Sequence, residues 1–411
     1  MAGEMRLFAR TLCALAVLAA VGLPGAVAPA KASAPKRLIV AYRSAAELAR
    51  LDVRVVRRIP ALHSAVVEAS GGLEGQAPVL RRALTVEAPA LAPTYQPGVA
   101  WEWQWDAARM NAVADEVLRA ASRVKIAVID SGADVSAPDV GNKAPQTWNV
   151  LSRSHAVRDV VGHGTFVSSL AAGATGDGVG IAGFGGDARL LVIKAIDSHG
   201  YITDVDEAAA IVYAVRHGAK IINLSIGGSQ TSLIEQRAIR YAARHGVLLV
   251  AAAGNEYEQG NQVEYPAALL QPVGSRGRGG IGLAVGATTM AGARARFSNT
   301  GTYLSLAAPG ENVFAAESAD STWPRAQPPW ASPGYYGWAS GTSFAAPEVS
   351  GAAALVWGAN PGLTARQVAA VLEQSASGNG WGPELGWGRL DAGAAVRLAQ
   401  TTQGAALRRA A

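Results

Sequence analysis

The stretch Val124-Lys-Ile-Ala-Val-Ile-Asp130 decides the fold class of this 411-residue chain. It is a nearly continuous apolar run that ends in a carboxylate, and similar runs occupy residues 188–196, 220–226, 247–253 and 281–287. Runs this apolar are typical of parallel strands that are covered on both faces. Helical patterns separate them, so the sequence predicts a doubly wound α/β fold with a mainly parallel sheet. Functional groups in such folds lie at the carboxyl ends of strands, as Asp130 does.

Two predicted helices between these strands have recognisable ends. Residues 204–217 begin with a predicted capping pair, Asp204 and Glu207. Residues 232–245 begin with a second pair, Ser232 and Glu235. A glycine follows each segment, and glycine readily adopts the left-handed conformation that ends a helix. Both segments are therefore predicted to cover the sheet as helices.

Three short segments carry an aspartate, a histidine and a serine in settings that suit catalysis. Asp130 ends the strand quoted above, His163 lies in Gly162-His-Gly-Thr165, and Ser343 lies in Gly341-Thr-Ser-Phe-Ala-Ala-Pro347. Residues 344–357 are a predicted helix with Pro347 in its first turn. A serine becomes a useful nucleophile when an imidazole removes its proton and a carboxylate orients that imidazole. A lone histidine is usually structural and serine is a common N-cap, but the three blocks together favour catalysis.

These motifs and their order, Asp then His then Ser, resemble the subtilisin-like serine peptidases, the subtilase family, over about residues 100–395. The resemblance implies that Ser343 is the nucleophile, His163 the general base and then acid, and Asp130 the residue that orients His163. It also implies that Asn255 donates a side-chain N–H to the oxyanion of the tetrahedral intermediate. The family usually has a second histidine in the histidine block and a methionine after the serine, where this chain has Phe166 and Phe344.

The resemblance further assigns two backbone segments to the first specificity pocket. Their residues are Ser225, Ile226, Gly227, Ala252, Ala253 and Gly254. Extended polypeptide can pair with such strand edges, and small residues in the walls leave room for a bulky side chain. We therefore predict a serine endopeptidase that cleaves proteins or peptides after large hydrophobic residues. A catalytically silent binding protein and an esterase or lipase are the alternatives, although the serine block is not the G-x-S-x-G elbow of the latter.

A glycine-rich loop raises the question of a cofactor or metal. Residues 178–183 fit the pattern G-x-G-x-x-G, but a helix precedes them and a strand follows, which is the reverse of a dinucleotide site. The resemblance implies a structural Ca²⁺ at this loop, with Asp139 and Asp177 as ligands. The loop is poor in acidic residues, which favours an empty turn, and both interpretations stay open. The predicted chemistry requires no cofactor.

The N-terminus is typical of an export signal. Arg6 and Arg10 precede the apolar run at 12–23, and small residues with A-x-A spacing follow it. We predict a signal peptide over residues 1–32, export to the periplasm or the medium, and no membrane span after its removal, because the run is too short to cross a bilayer. The only cysteine, Cys13, lies within it, so disulfides are not expected to stabilise the mature protein.

Residues 33–98 form a separate segment between the signal and the body. Residues 37–42, 64–69 and 85–87 are predicted strands, and 77–84 is a predicted short helix. The resemblance implies that this segment is a propeptide that assists folding and inhibits the enzyme until it is removed; a poorly ordered extension is the alternative. Residues 99–400 are then the peptidase domain, and 401–411 a tail.

Charge gives little evidence of further partners. The chain carries a formal net charge of +5, but residues 1–100 contribute +6 and the remainder contributes −1. The basic excess therefore lies in the segments expected to be removed, and it gives no argument for nucleic-acid binding. We expect a monomer whose partners are its substrates and, transiently, its own propeptide.

Overall fold

The computed structural model describes residues 36–51, 53–69, 73, 75–83, 101–323, 325–326 and 334–402. The predicted signal peptide and the predicted strand at 85–87 lie outside these described residues, as does the predicted tail beyond Thr402. In the described ranges, no helix is long and apolar enough to cross a membrane.

The N-terminal part of the described chain forms a small unit. Its elements are the strands β1 (Lys36–Ala41), β2 (Arg54–Ile59), β3 (Ser64–Ala69) and β4 (Leu80–Ala83) and the helix α1 (Ala45–Ala49). Strand β3 pairs antiparallel with β1 and β2, and Leu48 of α1 packs with Val40 and Val67 in a small core. The strands predicted at 37–42 and 64–69 are confirmed.

Strand β4 corrects the prediction of a short helix over residues 77–84. Leu80–Ala83 is extended and pairs antiparallel with two short strands of the main body. The local pattern, with Pro78 where a first helical turn would be, contains no information about these partners. Backbone hydrogen bonds to both neighbouring strands favour the extended form over a helix of a few residues, which is marginal alone.

The main body contains a large sheet and several shorter strands. In chain order these are β5 (Lys125–Asp130), β6 (Gln146–Asn149), β7 (Arg189–Lys194), β8 (Tyr201–Thr203), β9 (Ile221–Leu224), β10 (Ile226–Gly227), β11 (Leu248–Ala252), β12 (Gly282–Thr288), β13 (Leu306–Pro309), β14 (Val313–Glu317), β15 (Arg325–Ala326) and β16 (Tyr335–Ala339). Seven of them form a parallel sheet in the order β13-β12-β11-β9-β5-β7-β6. The chain winds to one side of β5 and then to the other, so the carboxyl end of β5 is the switch point where sites form.

Helices cover the sheet on both faces. They are α2 (Trp103–Ala107), α3 (Asp115–Ala120), α4 (Pro138–Gly141), α5 (His163–Ala172), α6 (Asp204–Arg216), α7 (Leu233–Arg244), α8 (Ala267–Leu270), α9 (Thr342–Ala359), α10 (Ala365–Ser375) and α11 (Ala392–Thr401). Alternate residues of β5 show the division: Ile126 and Val128 join one core with α5 and α9, whereas Ala127 and Ile129 join the other with α6 and α7. The predicted doubly wound α/β fold is confirmed.

Helix α9 is buried from Thr342 to Trp357, as expected of a helix that is apolar on all sides. It begins two residues before the predicted start at Phe344, so Pro347 lies inside the helix and not in its first turn. Proline has no N–H to donate to the carbonyl four residues earlier, which here belongs to Ser343. That carbonyl therefore needs another donor.

Candidate active site

Asp130 and His163 form a buried hydrogen-bonded pair. Asp130 ends the central strand β5, and His163 is the first residue of α5, after Gly162 at φ 92°. Asp130 Oδ1 lies 2.7 Å from His163 Nδ1 and also accepts the Ser131 N–H at 2.7 Å. Because a carboxylate can only accept, Nδ1 carries the proton and Nε2 is left as the basic nitrogen. Nε2 is buried without a hydrogen-bond partner among the described residues. Its lone pair is therefore available to accept a proton, as the lone pair of a general base must be.

Asp159 holds the turn that presents His163, and the sequence interpretation missed it. Its Oδ1 accepts from Ser131 Oγ at 2.8 Å and from the Gly162 N–H at 2.9 Å. Its Oδ2 accepts from the N–H and the hydroxyl of Thr165 at 2.8 and 2.6 Å. The side chain is buried, so these bonds join the end of β5 to the start of α5. An acidic residue four positions before a catalytic histidine was the available signal.

Glycine is required where these two segments meet. A Cβ on Gly164 would lie 2.1 Å from the carbonyl oxygen of Gly132, so any side chain would push α5 away from the end of β5. Such a displacement would also break the hydrogen bond that the Gly164 N–H donates to Ser131 Oγ at 2.8 Å. The close approach brings His163 within reach of Asp130.

Lys194 places a cation behind the pair. It ends β7, beside β5, and its ammonium donates to the Ser131 carbonyl. Burial lowers the pKa of Lys194, while attraction to Asp159 and Asp130 opposes that shift. The ammonium therefore places a positive charge near both carboxylates.

Ser343 lies in the first turn of α9, beside the residue after β9. Its Oγ lies 3.4 Å from the Ser225 carbonyl oxygen. In return, Ser225 Oγ donates to the Ser343 carbonyl at 2.7 Å, which supplies the donor that Pro347 cannot. Asn223 donates to Ser225 Oγ at 2.9 Å and accepts from Ser350 at 2.9 Å. This buried chain of hydrogen bonds fixes the turn that carries Ser343.

Asn255 is oriented with its amide N–H₂ unused. Its Oδ1 accepts from the backbone N–H and the hydroxyl of Thr342, both at 2.9 Å. Since a backbone N–H can only donate, this pairing identifies the oxygen and leaves Nδ2 on the other side. Nδ2 is buried and has no acceptor within the described ranges, an arrangement that costs about 1–3 kcal/mol. A donor held in this way, next to the turn of Ser343, is suited to stabilising an oxyanion.

The two segments predicted to line the specificity pocket lie at the carboxyl ends of adjacent strands. Ser225–Gly227 follows β9, and Ala252–Gly254 ends β11. Both segments touch the serine turn: Ser225 Oγ donates to the Ser343 carbonyl at 2.7 Å, and the Gly254 N–H donates to Thr342 Oγ1 at 3.2 Å. Gly254 must be glycine, since at φ 109° a Cβ would lie 2.2 Å from Asn299 Nδ2. The structure therefore brings the predicted pocket residues together with Ser343.

Two acidic side chains lie behind this pocket. Glu256 accepts the Asn255 N–H at 2.7 Å, so it is tied to the backbone of the predicted oxyanion residue. Burial, and then repulsion from Glu256, raise the pKa of Glu264 to about 8. At neutral pH the pocket therefore carries less negative charge than its two glutamates suggest.

Two aromatic residues that replace the usual family residues pack against each other beside His163. The ring centroids of Phe166 and Phe344 are 4.6 Å apart, and that of Phe344 is 5.6 Å from the His163 imidazole. Trp323 adds an edge contact to His163, with centroids 6.3 Å apart. These rings enclose the imidazole on its apolar side.

The glycine-rich loop meets three carboxylates from different parts of the chain. Asp139 accepts the Ile181 N–H at 2.6 Å and the Tyr336 hydroxyl at 2.8 Å. Asp177 accepts from Asn142 at 2.7 Å, and Glu102 accepts the Ala182 N–H at 2.9 Å. In the part of the chain that the structure describes, no three acidic, histidine or cysteine side chains are grouped closely enough to hold a metal by themselves. Any cation here would need backbone carbonyls of the loop as further ligands.

The strand edge that is predicted to bind substrate is occupied by the chain itself. Strand β4 lies between β10 and β8 and pairs antiparallel with both. Arg81 of β4 forms ion pairs with Glu207 of α6 and Glu235 of α7.

The predicted capping pair Asp204–Glu207 is wrong, because Thr203 caps α6 by accepting the Asp206 N–H and Glu207 pairs with Arg81. The predicted pair Ser232–Glu235 is confirmed as a capping box, although Glu235 also binds Arg81.

Comparison with known proteins gives one consistent family. Residues 121–388 match the sequence model described as the Subtilase family. The chain is 33% identical over 283 residues to the thermophilic serine proteinase of Bacillus sp. (strain AK1), covering 68% of this chain and 63% of that protein. It is 33% identical over 278 residues to thermitase of Thermoactinomyces vulgaris, covering 67% of this chain and 89% of that protein.

A solved structure supports the fold. The crystal structure of fervidolysin from Fervidobacterium pennivorans, described as a keratinolytic enzyme related to subtilisin, superposes with a TM-score of 0.72. The match covers 88% of this chain and 61% of that one at 24% identity, so it bears on architecture alone. The chain thus spans less than two thirds of that protein and of the Bacillus sp. relative.

Proposed function

The chain belongs to the subtilase family, and on that basis we propose that it is a serine endopeptidase that hydrolyses peptide bonds with Ser343, His163 and Asp130. The observation that carries the proposal is the pair of unused buried nitrogens at one place. His163 Nε2 and Asn255 Nδ2 both lack partners in the described residues, although the other polar atom of each side chain is engaged. A site that only binds would gain nothing from leaving both unsatisfied.

The reaction proceeds in two halves. Ser343 Oγ forms a bond to the carbonyl carbon as its proton passes to His163 Nε2. His163 then gives this proton to the amide nitrogen, the C–N bond breaks, and an ester remains on Ser343. Water attacks this ester while His163 takes its proton, and the proton returns to Ser343 as the acid product leaves. Asp130 keeps Nδ1 protonated and stabilises the imidazolium throughout.

Asn255 acts when charge develops on the carbonyl oxygen. Its Nδ2 would donate to the oxyanion together with the backbone N–H of Ser343, at the positive end of α9. Because Thr342 already holds the Asn255 amide in place, little reorganisation is needed as the oxyanion forms. A donor that is already in position for the transition state raises kcat more than it strengthens substrate binding.

We propose that the preferred substrates carry a large hydrophobic residue before the scissile bond. The support is the small size of Ala252, Ala253 and Gly254 beside Ser343 and the raised pKa of Glu264 behind them. Matched peptides with leucine, phenylalanine, glycine or aspartate at this position test the preference. Faster cleavage after glycine or aspartate than after leucine would contradict it.

We also propose that the protein is exported, works as a monomer, and carries residues 33–98 as a propeptide. The sequence of the first 32 residues supports export, and the position of β4 across the site supports inhibition. We further propose a structural Ca²⁺ held by Asp139, Asp177 and loop carbonyls. Asp139 and Asp177 lie beside the loop and offer carboxylate oxygens, and backbone carbonyls of the loop would have to supply the remaining oxygen ligands that Ca²⁺ prefers. The ion would stabilise the loop without entering the reaction.

The deciding experiment compares the full-length wild type with Ser343→Ala. We expect the wild type to lose its N-terminal segment at a bond after β4, as measured by intact mass, to cleave peptides and to react with an active-serine phosphonate, whereas the variant does none of these. Circular dichroism of both proteins serves as the control for folding. If both stay full length and unreactive while folded, the proposal is wrong and a catalytically silent binding protein is the better interpretation.

A further inference from the structure

Strand β4 enters the cleft as an extended peptide would. Its Ala83 pairs with Ile226 and Arg82 with Gly227 on one side, while Arg82 pairs with Tyr201 and Arg81 with Ile202 on the other. Strand β10 directly follows Ser225, whose carbonyl lies 3.4 Å from Ser343 Oγ. An added antiparallel strand on such an edge is a common mode of peptide recognition. Strand β10 leads away from Ser225, so β4, which is antiparallel to it, runs toward Ser343.

The register gives the position of each side chain relative to the serine. A peptide bound in the register of β4 has the residue after the Ala83 position opposite Ser225, and therefore next to Ser343. The residue at the Arg81 position is then three residues farther from the scissile bond. In substrate terms it is the fourth residue before that bond.

The Arg81 side chain fills a closed acidic pocket. It is 0% exposed, as are the side chains of Glu207 and Glu235 that pair with it. The guanidinium reaches the Glu207 carboxylate through one terminal nitrogen and the Glu235 carboxylate through the other. The second nitrogen also donates to the Gln230 carbonyl at 3.3 Å. The planar guanidinium thus bridges two acids that belong to different helices.

The surroundings are arranged around this guanidinium. Thr231 Oγ1 donates to Glu235 at 2.5 Å, and Asp204 accepts the Val79 N–H at 2.9 Å from the same side of β4. Gly228 lies under the arginine stem, where a Cβ would be 3.1 Å from Arg81 Cγ. Burial raises the pKa of Glu207 to about 8, with Arg81 opposing that shift. Without a bound cation, this pocket is a pair of buried acids that has no other positively charged partner among the described residues.

We infer that Glu207 and Glu235 form a guanidinium-binding subsite of the cleft, which selects peptides with arginine as the fourth residue before the scissile bond. The inference rests on the proposed peptidase function. Arg81 occupies the subsite in the precursor and is replaced by the arginine of a substrate after maturation. Lysine fits less well, because one ammonium lacks the planar fork that reaches two carboxylates at once.

The test uses full-length protein that has processed itself and three peptides that differ only at this position. They carry arginine, lysine or citrulline, which has the shape of arginine without its charge, and a common leucine before the bond. We expect kcat/KM for citrulline to fall about 10- to 100-fold below arginine, as for loss of hydrogen bonds to charged groups, with lysine between them. In Glu207→Gln/Glu235→Gln, the arginine and citrulline peptides should be cleaved equally. Glu116→Gln, an exposed change on α3, should keep the wild-type preference.

The outcomes separate the two proposals. If the phosphonate labels Ser343 and peptides are cleaved, but citrulline equals arginine in the wild type, the subsite inference is wrong and the peptidase function stands. If the folded protein neither reacts with the phosphonate nor cleaves any peptide, the function is wrong and the inference falls with it. The wild-type comparison needs no variant, so it decides the matter even if the double variant does not fold.

Discussion

The Ser225 hydroxyl donates a 2.7 Å hydrogen bond to the carbonyl of Ser343, at the place where Pro347 interrupts the helical ladder. One residue therefore both lines the cleft and holds the turn of the nucleophile. A carbonyl left unpaired in this buried turn would cost about 1–3 kcal/mol, and the helix would relax to recover part of it. This pairing makes the position of Ser343 depend on the segment that is proposed to bind substrate.

Replacing Ser225 by alanine should loosen the serine turn. We expect the free energy of unfolding to fall by about 1–3 kcal/mol, measured by urea denaturation in the Ser343→Ala background, and kcat to fall in the active chain. Adding Pro347→Ala supplies a backbone N–H for the same carbonyl and should recover part of both losses. Equal stability of Ser225→Ala and its parent would show that this hydrogen bond has no structural role.

Replacing Asn255 by alanine should reduce turnover by about 10²–10³-fold, the usual loss for one oxyanion donor. KM should change little, because the interaction forms mainly in the transition state. Steady-state kinetics on one peptide test this, with phosphonate titration to count active sites. A large rise in KM with unchanged kcat would instead assign Asn255 to ground-state binding.

Replacing Asp159 by asparagine should disturb the turn of His163. An amide oxygen can replace one carboxylate oxygen, but the amide nitrogen would face the Thr165 N–H or the Gly162 N–H, both of which donate. We expect a loss of about 2–4 kcal/mol in stability and a lower kcat. Asp391→Asn, at the N-cap of α11, is the matched control and should be nearly neutral. If both variants behave alike, Asp159 does not position His163.

Glu348 should make the folded protein less stable as the pH rises. It is fully buried on α9, neither carboxylate oxygen has a partner in the described residues, and burial raises its pKa well above the usual range. Above a pH of about 4.3 the unfolded chain releases the Glu348 proton, whereas the folded protein keeps it. The free energy of unfolding therefore falls by up to about 1.4 kcal/mol per pH unit, from that pH up to the pKa of Glu348 in the folded protein.

Glu348→Gln should remove this decline. In the Ser343→Ala background we expect the variant to gain stability over its parent between pH 5 and pH 8, in urea unfolding at each pH. Glu116→Gln, a surface change, should follow its parent. Parallel pH profiles for Glu348→Gln and parent would contradict the prediction.

Removing calcium should lower the melting temperature if the loop holds the proposed ion. A site that is saturated 100-fold above its Kd contributes about 2.7 kcal/mol. A chelator should therefore destabilise the Ser343→Ala chain, whereas Asp139→Asn and Asp177→Asn should be insensitive to it. If the parent is also insensitive, the hydrogen bonds from Ile181 and Tyr336 to Asp139 suffice for the loop and the calcium proposal is wrong.

Local patterns predicted the central features of the molecule well. The five apolar runs became β5, β7, β9 with β10, β11 and β12, because a strand buried on both faces has to be apolar throughout. The motifs of Asp130, His163 and Ser343 lay at ends of such elements, where a switch point brings distant segments together. The position of Asn255 beside the serine turn agrees with the same rule, since it follows the end of β11.

The features that the sequence did not predict depend on partners far along the chain. Glu207 matched a capping pattern with Asp204, but an arginine 126 residues earlier competes for it and wins. Residues 80–83 became a strand only because β8 and β10 flank them. The spacing of Asp159 to His163 was the one local signal for it, and the sequence does not show that four donors from Ser131, Gly162 and Thr165 surround its carboxylate.

The ion pairs of Arg81 with Glu207 and Glu235 have a consequence for how the protein folds and how long it stays folded. The arginine neutralises two acids at the contact between α6 and α7, so the chain assembles those helices with the cation already supplied. If the proposed propeptide is cut away, an unfolded mature chain would have to bring the same two acids together with no cation between them. Its lifetime would then be governed by the height of the unfolding barrier and not by an equilibrium it could re-establish, so the cut would make the fold a one-way product.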